Sequence, residues 1–222
     1  MVRFVSVGID VVSTAVVLVP VMFILYDTCL KQCSSAKRLQ LLCFAFYLSA
    51  VCSVTGVPSV NSLVIDPRCN LIPLIDIVNG PMGYVKNTVL NIILFVPLGF
   101  FLPAIWEYRY SSLRKVLLTG LGVSAGIEVL QIFTYRLTDV DDLVTNTVGT
   151  VMGYCLAKLY VNRRHKKDME GPEVTSEENF FINNELYLII LIVLLIMFFL
   201  QPLIAGNIWE SVLEIKWWEA MK

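Results

Sequence analysis

Charge is scarce in this chain: Asp, Glu, Lys and Arg make up 16% of its 222 residues, against 57% that are hydrophobic. A soluble domain of this size carries about a quarter charged residues, so the composition sets a water-soluble core aside and points to the membrane class. Histidine is nearly absent. The single His165 lies in a basic run, which argues against a His-ligated metal and a His-dependent mechanism. The six cysteines lack zinc spacing, because Cys29 and Cys33 have no second pair and no neighbouring His. Cys43 and Cys155 read as small apolar residues in helices. A Cys52–Cys69 disulfide is conceivable on an oxidising side. No basic surface suited to nucleic acid is present, so no nucleic acid partner is expected. The net charge of −1 names no partner either, since the charges are segregated along the chain. An internal repeat is also missing, which weakens a transporter built from two related halves.

Long apolar runs are what the chain does have. Spanning a bilayer takes about 20 mostly apolar residues, and six segments come close: 5–26, 39–57, 86–106, 115–135, 141–160 and 186–204. The expected fold is an all-α polytopic membrane bundle of about six transmembrane helices, a five-helix core plus a C-terminal helix, treated as one membrane domain over 1–222. The first run carries Asp10 and lacks a small-x-small exit, so it reads as a retained helix rather than a cleavable signal. The fourth and fifth helices are less apolar than the rest and must bury polar faces against neighbours, because lipid cannot satisfy them. A polar linker is expected over 162–184, and an interfacial helix with tryptophans at headgroup level over 205–222. Lys and Arg concentrate after the first, third and fifth helices, which makes that side cytoplasmic and leaves the opposite loops outside. The long outer loop, about 58–85, mixes apolar residues with four prolines. It is read either as a surface loop or as one that dips back over the end of the bundle.

The chemistry gathers around 128–153. Residues three or four apart share a helix face, so Ser124, Glu128, Gln131 and Tyr135 form one stripe. Asp142, Asn146, Gly149 and Gly153 form a second, which Asp139 continues if the helix starts early; Asn87 and Asn91 form a third. Arg136 lies between the first two. All three stripes occupy the outer halves of their helices and are expected to meet in one outward pocket. Ionisable residues at membrane depth are costly and usually mark a site. A buried Glu128 must be paired, protonated or bound to a cation, with Arg136, Gln131 and the asparagines as available partners. Gly149-x-x-x-Gly153 reads first as a close helix contact, and Asn91 and Asn146 serve equally well as interhelical hydrogen-bond glue. Asp142 or Asp139 could cap the fifth helix.

These residues resemble a known family. Glu128-x-x-Gln131 followed by Arg136, Asp139, Asp142, Asn146, Gly149 and Gly153 is similar to the signature of VanZ-like membrane proteins. Asn91-x-x-x-Phe95-x-Pro97-x-Gly99 resembles that family's upstream motif, and Asn70-Leu71-Ile72-Pro73 its preceding loop motif, here followed by Leu74 where an aromatic is common. The resemblance covers about 60–160. It implies a small multi-pass protein of the bacterial cell membrane. The family's namesake is linked to resistance against lipoglycopeptide antibiotics such as teicoplanin, which bind wall precursors outside the membrane. The resemblance does not carry resistance itself to this chain.

Two functions compete at this point. In the first, the pocket binds the headgroup of a membrane lipid or lipid-linked wall precursor and so alters access by a glycopeptide. Arg136 would meet phosphate or carboxylate, and Asn87, Asn91, Gln131 and Asn146 would meet sugar or amide groups. In the second, the protein is an enzyme on such a headgroup. Glu128 would be the acid or base, and Asp139 and Asp142 a second carboxylate or, with Glu128, ligands of a divalent cation. A flippase is disfavoured by the apolar inner halves of the helices.

Overall fold

The computed structural model describes residues 2–31, 33–66, 68–70, 72–75, 77, 80–167 and 184–220. The fold is a helical membrane bundle. Its helices are α1 (Val2–Thr28), α2 (Ser35–Thr55), α3 (Pro81–Ile105), α4 (Leu113–Gln131), α5 (Val140–Lys167) and α6, which runs through Glu185–Leu195, Ile196–Leu200 and Gln201–Ala220. Each coincides with one of the expected spans. Two short strands, β1 (Cys69–Asn70) and β2 (Thr138–Asp139), join the loops. Most of the expected linker, residues 168 to 183, lies outside the described residues.

Local chemistry sets the helix ends. Ser34 caps α2 by accepting the Lys37 N–H at 3.3 Å, and Gly56 ends it at φ 68°, donating back to the Cys52 carbonyl. Pro81 opens α3 in the first position, where its missing N–H costs nothing. α6 does not stop near 204 as the sequence reading has it. It continues to Ala220, passing through a π-helical turn at Ile196–Leu200. Pro202 explains the turn: it has no N–H for the carbonyl four residues back, that of Phe198. The Val60 N–H takes that oxygen instead, at 3.0 Å.

Among the described residues, α1, α2, α3 and α6 are long and apolar enough to cross a membrane, with mean hydropathies of 2.2, 1.5, 2.2 and 3.0. They expose rows of large apolar side chains, such as Val11, Val16 and Phe23 on α1 and Leu191, Leu195 and Phe199 on α6. Such faces suit lipid, not water. α4 and α5 fall short because their buried faces are polar: Ser124, Glu128 and Gln131 on one, Thr145, Asn146 and Thr150 on the other. The contacts gather into two compact units.

The first unit, Met1–Leu63 with Glu177–Lys222, packs α1, α2 and α6 around one another. Its core holds Leu18, Met22, Phe44, Leu41 and Ile189. Lys37 at the start of α2 pairs with the fully buried Glu185 at the start of α6. The second unit, Val64–Ser176, holds α3, α4 and α5. Its most extensive contact joins α3 to α5, and glycine makes that contact possible. A Cβ at Gly99 would lie 1.9 Å from the Thr150 carbonyl, one at Gly149 2.3 Å from that of Ile92, and one at Gly153 2.0 Å from that of Val96. The two backbones therefore touch, as small residues allow between membrane helices.

Candidate functional site

The candidate site lies at the end of the second unit where α4 finishes and α3 and α5 begin. Two loops are laced together there. Asp66 N–H donates to Ile132 O at 2.8 Å, Val64 N–H to Phe133 O at 3.1 Å and Thr138 N–H to Arg68 O at 3.2 Å. β1 then pairs in parallel with β2, Cys69 opposite Thr138 and Asn70 opposite Asp139. The proline-containing loop is thus bound by its backbone to the α4–α5 connection. The Cys52–Cys69 disulfide is not formed; none of the six cysteines is disulfide-bonded.

Each carboxylate of the acidic knot has its own duty. Asp139 is the cap of α5, its Oδ1 accepting the Asp141 N–H at 2.9 Å, while its Oδ2 receives Asn70 Nδ2 at 3.3 Å. Asp142 is therefore not the cap but the third helical residue, and its Oδ1 accepts a 2.6 Å hydrogen bond from Asn91 Nδ2. Asp141, only 7% exposed, accepts the Leu74 N–H at 2.8 Å. Leu74 has φ 65°, a left-handed conformation unfavourable for a side chain of its size. The Asp141 carboxylate holds the loop in that shape.

Glu128 is buried in the last turn of α4, and Arg136 does not reach it. Its Oε2 accepts the Asp139 backbone N–H at 3.0 Å, and its own carbonyl accepts Thr138 Oγ1 at 3.2 Å. Arg136 is exposed and forms no ion pair among the described residues. Arg68, by contrast, is occupied, since its guanidinium grips Asp66 through Nε at 2.9 Å and Nη2 at 2.6 Å. Those bonds hold the Asp66 carboxyl below the usual carboxylate range.

A cavity of about 280 Å³ opens between the first turns of α3 and α5. Gly80, Gly83, Tyr84, Asn87 and Thr88 line it from one side, and Asp139, Asp141, Asp142 and Thr145 from the other. Of the residues expected from sequence, Asn87, Asp139 and Asp142 reach this cavity, with Asn91 directly behind Asp142. Glu128 supports it through the Asp139 backbone. Gln131 and Asn146 are buried away from its walls. Asn146 donates to Ser124 Oγ at 2.9 Å, and its Oδ1 is buried without a partner. Among the described residues no three of His, Cys, Asp and Glu are grouped so as to hold a metal ion.

Asp141, Tyr84, Thr88 and Thr145 were given no site role from sequence. Thr145 follows Asp142 by three residues and Tyr84 precedes Asn87 by three, so the same face-sharing rule reaches both. The role of Asp141 depends on the loop register, which no helical spacing encodes.

A family model described as VanZ/LLP1 matches residues 44–161, more than half of the chain and all of the cavity's walls. No curated protein and no solved structure matches the chain.

Proposed function

Starting from a chain that belongs to the VanZ/LLP1 family, we propose that the acidic cavity binds the headgroup of a membrane lipid or lipid-linked wall precursor at the outer face of the cell membrane. The observation that carries this reading is the cavity's lining. Three carboxylates and an asparagine converge with no cation paired to any of them among the described residues. Ionised carboxylates only accept hydrogen bonds, so the matching ligand is rich in donors: sugar hydroxyls, amide N–H groups or an ammonium. Arg136, exposed two residues before the β2 strand and free of ion pairs among the described residues, supplies the complementary contact to phosphate or carboxylate. The sequence places the basic loops on the opposite side of the membrane, which supports an outward mouth. A bound headgroup would be hidden from a glycopeptide that recognises it, the route by which lower teicoplanin susceptibility would arise.

The test is equilibrium binding of radiolabelled lipid-linked wall precursor to the purified protein in nanodiscs. Asp142→Ala and Arg136→Ala should each weaken binding by about tenfold or more, the loss of about 1.5–3 kcal/mol that one charge-assisted hydrogen bond represents. Unchanged affinity in both variants contradicts the reading. A new product mass that depends on Glu128 would instead make the site catalytic.

A further inference from the structure

A second cavity, mostly apolar in its walls but holding a carboxylate, lies in the first unit. Asp10 is an ionisable residue on a helix that otherwise reads as a plain span, and such residues mark sites by default. Its Oδ1 accepts a 2.9 Å hydrogen bond from Gln201 Nε2, and the same nitrogen lies 3.4 Å from Ser13 Oγ. Gln201 is 8% exposed and follows directly on the π-helical turn, a rare feature often found at functional sites. The amide fixes the carboxylate in place without neutralising it. Among the described residues no cation pairs with Asp10.

A cavity of about 180 Å³ adjoins Asp10, with Thr14, Ser49 and Ser53 as its other polar lining and Phe46 and Val54 among its apolar wall. At about 30 Å³ per water it is far too large for one bare ion and large enough for a small headgroup. Two of its three hydroxyl protons are already in use. Ser49 Oγ donates to Ala45 O at 2.9 Å, and Thr14 Oγ1 points its proton at Met197 Sδ, 3.8 Å away. What faces the cavity is therefore a carboxylate, the lone pairs of Thr14 and Ser49, and the Ser53 hydroxyl at the mouth, a set with more acceptors than donors that favours a donating group. An ammonium has three donors and no acceptor; a phosphate is the wrong partner.

Depth and surface narrow the occupant further. Asp10 lies about two turns inside α1, which begins at Val2, and Ser53 and Val54 close α2, which ends at Thr55. The cavity thus opens beside the end of α2, within reach of headgroup level. Its rim residues Val11 and Val54 are 55% and 58% exposed, a surface for acyl chains. We infer that this cavity holds the primary ammonium of an aminophospholipid, with the cation on Asp10 and its remaining N–H donors on the Thr14 and Ser49 oxygens.

The full-length protein is reconstituted in vesicles of equal parts phosphatidylethanolamine, phosphatidylglycerol and phosphatidylcholine, extracted, and its retained lipids counted by native mass spectrometry. The expected result is several-fold enrichment of phosphatidylethanolamine over both other lipids. Asp10→Asn, which keeps the shape and the Gln201 contact, should return the ratio to that of the vesicle. Ser53→Phe, which fills the exposed mouth without touching the Asp10–Gln201 bond, should do the same with an unchanged melting temperature. Equal retention of phosphatidylcholine, which has the charge without N–H donors, overturns the inference. So does enrichment that survives both substitutions.

Discussion

The Glu128 oxygen that accepts the Asp139 N–H ties the last turn of α4 to the first residues of α5. Glutamine offers the same acceptor, so Glu128→Gln should leave stability within about 0.5 kcal/mol, whereas Glu128→Ala strands a half-buried N–H and should cost about 1–3 kcal/mol. Denaturant unfolding in micelles measures both. Asp139→Ala removes the helix cap and the Asn70 contact together, and should cost at least the ~1 kcal/mol of a lost cap in the same assay. The carboxylates themselves were legible in the sequence, because acidic residues stand out in apolar helices. Their partners were not. Charge complementarity points Glu128 towards Arg136, yet the donor it meets is a peptide N–H, a group every residue but proline carries and none advertises. Asp142 was read as a cap or a ligand-holder; the early start that Asp139 gives to α5 frees it to meet Asn91.

Among the elements, the α3–α5 seam is the part most strictly set by residue size. Gly153→Ala places a methyl 2.0 Å from the Val96 carbonyl, so the helices must part, at a cost of roughly 1–3 kcal/mol for an overpacked contact. Gly122 and Gly126 on α4 have nothing within 4 Å of an added Cβ. Alanine there should stabilise the helix by about 0.5–1 kcal/mol. Melting temperatures of the three variants, compared side by side, test whether the contact or the helix propensity governs. This seam was legible as small residues four apart in Gly149 and Gly153. The loop ladder was not, since two-residue strands leave no alternating pattern and their pairing is fixed by backbone bonds. The continuation of α6 past 204 was also hidden. Pro202 and Gly206 suggest an ending there, but the carbonyl that Pro202 leaves open is satisfied by Val60, so the helix survives.

For the whole molecule, the membrane class follows from composition, while sidedness rests on the distribution of Lys and Arg. Cys69 makes that arrangement testable, because it is exposed in β1 beside the site. A variant retaining only Cys69 should react with a membrane-impermeant maleimide on intact cells. One retaining only Cys155, about 22 Å along α5 from its start, should resist until the membrane is dissolved. Labelling of Cys69 only after lysis would reverse the orientation. The central claim, that the acidic cavity is where a headgroup binds, is tested most directly by placing a photo-crosslinking residue at Asn87, which is exposed and lines the cavity. Irradiation in native membranes followed by mass spectrometry should yield an adduct with a lipid or lipid-linked precursor, joined through its headgroup and lost on Asp142→Ala. An adduct yield that Asp142→Ala leaves unchanged, or only adducts through acyl chains, would contradict it.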